Sequence, residues 1–152
     1  MRRLVAALLL LLAACSTGQL GRKSRVADPE IVIEQLSNVA PAARNIDGGI
    51  PLHYRIRVRN VADEPVTLKR IDLSSVGYGS YDVMPHSQGF DVKINPGSES
   101  KVELWVPGQI TNPSITGANG PVTLRAIMLF DSPSGQLQTA VTQQVRSSTA
   151  SD

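Results

Sequence analysis

The chain has 152 residues with 15 lysines and arginines against 13 carboxylates, 41% hydrophobic residues and a single cysteine. That length fits one domain, and one cysteine excludes an internal disulfide and a thiolate metal site. A net charge of +2 argues against an electrostatic nucleic-acid binder.

Met1, Arg2 and Arg3 form a short positive start, and Leu4 to Leu12 is wholly aliphatic, the two leading parts of an export signal. The apolar stretch from Leu4 to Cys15 covers 12 residues, whereas a helix needs about 20 to cross a bilayer. Residues 1–14 are therefore read as a cleaved signal peptide. The cleavage region, Leu12-Ala13-Ala14-Cys15, resembles the lipobox of bacterial lipoproteins. This resemblance implies that the Cys15 thiol is diacylglycerylated, that the signal is cut just before it, and that the new amine is acylated as well. Two or three acyl chains, at about 0.8 kcal/mol per buried methylene, hold a protein almost permanently. Ser16 stands where some inner-membrane relatives carry aspartate, so the resemblance implies a cell-envelope protein at the outer membrane, facing the periplasm. Loss of residues 1–14 removes Arg2 and Arg3 and leaves 13 cations against 13 carboxylates; the basic excess belongs to the export signal, and no nucleic-acid partner is expected.

Residues 15–28 are expected to be the lipidated N-terminus and a flexible tether, polar and glycine-containing, spanning about 20 Å as a coil. Residues 29–146 form the expected domain, and 147–152 a disordered tail. Within the domain the apolar period is two, interrupted by turn residues, and no segment has a sustained helical period. Ile31 and Ile33 mark a first strand. Leu52, Tyr54, Ile56 and Val58 then alternate with His53, Arg55, Arg57 and Arg59 in the clearest strand of the chain. From Val66 to Ser74 the apolar phase slips by one, from Val66 and Leu68 to Ile71 and Leu73, which predicts a bulge. Short strands are expected at Tyr81-Val83 and Phe90-Ile94. After the turn Asn95-Pro96-Gly97-Ser98, Val102, Leu104 and Val106 point inward. A loop is expected over Pro107 to Gly120, then a long strand with Val122, Leu124, Ala126, Met128 and Phe130 inward. A turn at 131–135 leads to a last strand carrying Leu137, Val141 and Val145.

Seven to eight short antiparallel strands with intervening turns predict an all-β, two-sheet sandwich. The pattern over 29–146 resembles immunoglobulin-like and fibronectin-type domains, without the Cys…Trp…Cys arrangement of true immunoglobulin domains. Such sandwiches host many functions, so the fold implies none.

Four groups of residues are candidates for recognition. Arg55, Arg57 and Arg59 share one face, with Trp105 on the strand expected beside them; they would either meet an anionic ligand or pair across strands with Glu30, Glu34 and Glu103, Trp105 stacking on an arginine. Ile127 and Leu129 occupy the outward phase of a strand whose inward phase is already apolar, so a loop of the chain or a partner protein is expected to cover them. Tyr78, in a glycine-rich loop, is a candidate recognition residue. Met84 and His86 have soft-metal character but are too few for a site, so no metal and no cofactor is expected. No G-x-S-x-G, H-E-x-x-H or free thiol is present. The expectation is a lipid-anchored, non-enzymatic binding or assembly module with an envelope protein as partner. The alternatives are an accessory subunit of an envelope complex and a periplasmic ligand or metal carrier.

Overall fold

The computed structural model describes residues 27–37, 50–77, 79, 81–110 and 120–146. Cys15, Tyr78, most of the tether and the tail from Ser147 lie outside the described residues. In chain order the strands are β1 (Glu30–Ser37), β2 (Ile50–Arg59), β3 (Val66–Ser75), β4 (Tyr81–Val83), β5 (His86–Ile94), β6 (Glu99–Ile110), β7 (Val122–Ser132) and β8 (Gly135–Val145). They pair antiparallel in two four-stranded sheets, sheet I in the order β1-β2-β6-β4 and sheet II in the order β5-β3-β7-β8. The architecture is thus the all-β sandwich that the sequence predicts, with eight strands.

Strict alternation builds the core. Leu52, Tyr54, Ile56 and Val58 of β2 face Leu68, Ile71, Leu124, Met128 and Phe130 of sheet II, all essentially inaccessible to water. Each fully buried aliphatic side chain contributes about 1.5–3 kcal/mol. The phase slip in β3 is a bulge at Lys69, where the register breaks between Leu68 and Arg70 against both β5 and β7. It turns two consecutive residues outward and gives each a partner: Lys69 Nζ lies 2.7 Å from Asp91 and Arg70 Nε 3.1 Å from Asp72. Without the extra residue, Ile71 and Leu73 would face solvent.

Two boundaries differ from the sequence reading. Pro107 to Ile110 extends β6 instead of opening a loop, pairing with Ile50 and Pro51 on one side and with β4 on the other. Proline and glycine suggest a loop, but Gly108 is required by close packing: a side chain there would run into Leu52 and come within 3.2 Å of the Asp82 carbonyl oxygen. Likewise β5 begins at His86, before its first apolar residue Phe90, because backbone pairing to Leu73 and Asp72 carries it.

Asn60, fully buried, ties together the turns at the end where the described chain begins. Its amide donates to the Glu64 and Ile94 carbonyls at 2.8 and 3.0 Å and its oxygen accepts from the Ala62 amide at 3.0 Å. Its own backbone bonds to Ser98 and Gly97, the latter at a positive φ of 71° that suits glycine. Short turns after β2, β5 and β7 gather at this end, and the longer connections, 38–49 and 111–121, leave from the opposite one.

Candidate functional site

On the outer face of sheet I, β2 lies between β1 and β6, so the arginine row is flanked by carboxylates on both sides. Arg55 reaches Glu103 at 2.7 Å, Arg57 reaches Glu34 at 2.9 Å and Arg59 reaches Glu30 at 3.4 Å. Arg57 sits opposite Lys101 in the register and turns to the other side, since like charges directly across a ladder repel. Counting Lys101 and Glu99 as well, four cations and four anions share this face. The Arg55 hydrogen bond, against a smaller desolvation effect, holds the Glu103 carboxyl below its usual range. Trp105 stacks on His53: the rings are 4.1 Å apart and 8° from parallel. The register explains this, because His53 is directly opposite Trp105 while Arg55 is opposite Glu103 and bonded to it.

The outer face of sheet II has a different character. Ile127 and Leu129 are half-buried in its middle, Ile127 between Asp72 and Ala140 and Leu129 between Arg70 and Gln138. Ile127 also forms part of the floor of a cleft of about 350 Å³, bounded by Asp72 and Ser74 of β3, Pro85 to Ser87, and Arg125. Exposed Met84 precedes this segment. Asp72 is engaged, accepting from Arg70 Nε at 3.1 Å and from Ser87 Oγ at 2.5 Å. Arg125 is exposed and, among the described residues, has no carboxylate partner. The cleft therefore combines the apolar Ile127 with a cation that has no carboxylate partner among the described residues.

Serine, histidine and aspartate meet in this cleft, and among the described residues no hydrogen bond joins Ser87 to His86. Ser87 donates straight to Asp72, and His86 bonds to neither, whereas general-base activation needs the base within hydrogen-bond reach of the nucleophile. Among the described residues no three metal-ligating side chains gather.

Polar residues that the sequence reading did not single out occupy inward phases. Tyr81 OH donates to Gln35 at 2.7 Å, and its oxygen lies 2.9 Å from Tyr54 OH; since the Tyr81 proton is used, Tyr54 is the donor of that second bond. Burial pushes Tyr81 up to about 12 and Tyr54 further in the same direction. Gln143 of β8 reaches across to the edge of β1, accepting from Ile33 N at 3.0 Å and donating to Ile33 O at 2.9 Å. Their signal was a polar residue in an apolar phase.

No family model and no curated protein matches the chain. Among the solved structures to which it is similar over most of its length are a structural-genomics target named SoR45, at 9% identity and a TM-score of 0.49, covering 80% of this chain and 87% of the other, and a FixG-related protein from Vibrio parahaemolyticus, at 13% identity and a TM-score of 0.38, covering 81% and 99%.

Proposed function

We propose that the chain is a lipid-anchored module of the bacterial cell envelope that binds or assembles with another envelope protein and catalyses no reaction. Cys15 carries the anchor and the outer face of sheet II the docking surface. The observation that supports this most is the contrast between the two outer faces. Each arginine of the sheet I row is paired with a glutamate of a neighbouring strand, while sheet II places Ile127 and Leu129 beside a cleft that includes Arg125, a cation with no carboxylate partner among the described residues. An apolar centre with a polar rim is the anatomy of a protein interface.

The double change Ile127→Glu, Leu129→Glu tests this. Co-purification of a stoichiometric envelope partner with the detergent-solubilised protein is expected, and the double variant should lose it while its melting curve stays cooperative. Purification of the unaltered protein alone, or collapse of the fold in the variant, would refute the docking surface. The anchor is checked separately: mass spectrometry should find acyl mass on Cys15 and none after Cys15→Ser.

A further inference from the structure

A four-stranded sheet has two edges, each a row of backbone donors and acceptors able to recruit another strand unless something prevents it. Three of the four edges here are protected. β4 has only three residues. β5 carries Asp91 and Lys93 and is broken in register opposite Lys69. β1 carries Glu30 and Glu34, and the Gln143 amide takes both polar groups of Ile33. β8 lacks charge, proline and register break, and its contacts with the β1 segment run through the inward side chains Thr139 and Gln143. Its 11 residues, Gly135 to Val145, include no charge and no proline, and its pairing to β7 runs unbroken from Ser132↔Gly135 to Val122↔Val145. Among the described residues no strand pairs with its other edge.

We infer that β8 is a contact between two copies of this chain, pairing antiparallel with its counterpart about a two-fold axis at Ala140. The sequence fits itself in this register. On the exposed row, Gln136 meets Gln144, Gln138 meets Thr142 and Ala140 meets Ala140 of the second copy, so that side-chain amides and hydroxyls hydrogen-bond across the dyad and no like charges oppose one another. An isologous contact of this kind closes at two copies. A strand with charges at these positions would find no counter-ion along β8, which disfavours an ordinary charged segment as occupant. The position of the chain start agrees: Asp28 Oδ1 lies 3.5 Å from Thr139 Oγ1, one residue from the axis. Because the axis is normal to the joined sheet, the two copies present their Asp28 residues beside it on the same side. Sheet II becomes a continuous eight-stranded sheet that presents Ile127 and Leu129 twice. The pairing does not depend on the identity of any envelope partner.

One strand edge buries less than a standard interface of about 1,600 Å², so a micromolar dimer is expected, strengthened where anchoring confines both copies to a surface. The test uses the full chain in detergent. Sedimentation should give a monomer–dimer equilibrium below about 100 μM, in the weak range. Ala140→Cys should cross-link with a short bis-maleimide, while Val61→Cys, exposed at the end of β2, should not. Ala140→Lys, which sets two ammonium groups face to face, should weaken association at least tenfold with an unchanged melting curve. A chain that stays monomeric, cross-linking equal at positions 61 and 140, or a dimer indifferent to Ala140→Lys would overturn the inference. If Ala140→Lys unfolds the domain, the contrast between the two cysteine variants decides.

Discussion

The polar side chains of this domain fall into two regions that work differently. Inside, Asn60, the Tyr54–Tyr81–Gln35 chain and Gln143 each satisfy groups cut off from water. Outside, the sheet I ladder joins arginines and glutamates that are about one-third to two-thirds exposed. A buried group left without its partner costs about 1–3 kcal/mol, whereas an exposed ion pair contributes about 0–1 kcal/mol. The interior network therefore fixes which turns and strands meet. The outer ladder leaves stability nearly unchanged, but it engages each of the three arginines with a glutamate of its own sheet.

Five measurements would break or sharpen this contrast. Asn60→Ala should cost most, about 3–5 kcal/mol in urea unfolding, because two carbonyls and one amide lose their partner together. Tyr54→Phe should cost about 1 kcal/mol, since one hydrogen bond goes while Tyr81 keeps its bond to Gln35.

The same pair sets an alkaline limit. Both folded-state values are raised above the ordinary 10.0, so their contribution is complete below pH 10.0 and is lost as the pH rises towards about 12. Tyrosinate absorbance of Tyr54 and Tyr81 should therefore appear together with unfolding. Arg57→Ala should cost less than about 1 kcal/mol and less still in high salt; a cost equal to that of Asn60→Ala would abolish the distinction. The smallest effect belongs to Glu103. Its folded-state value is lowered, so its contribution is present above pH 4.5 and disappears as the pH falls through that lower value. Glu103→Gln should flatten this part of an acid titration followed by melting temperature.

Much of the fold was legible because burial imposes a period of two on β2 and β7, and because the phase slip in β3 has no other physical reading than a bulge. The pairing of Arg59 with Glu30 and of Arg55 with Glu103 was also accessible, once β2 was placed between its neighbours. What the sequence concealed were contacts set by three-dimensional closure. Gln143 and Ile33 are 110 positions apart, and no local pattern brings them together. Pro107 and Gly108 looked like a loop because their residue types usually break strands; the strand persists because Leu52 leaves no room for a side chain at 108. Trp105 stacks on His53 because register, unlike composition, is decided by the neighbouring strand. For the candidate docking face, the outward apolar phase of Ile127 and Leu129 was readable, but the cleft beside it joins β3, β5 and β7 and could not be foreseen.

The Gln143 amide has a mechanical consequence. The described chain enters the domain through β1, which is held along one side by β2 and tied on the other to β8 by this side chain. A tug on Asp28 directed along β1 stresses those bonds side by side, so they must rupture together instead of peeling open in sequence. A body fastened this way tolerates tension on its first strand without unravelling, and Gln143 is the stitch whose removal would let that strand slide.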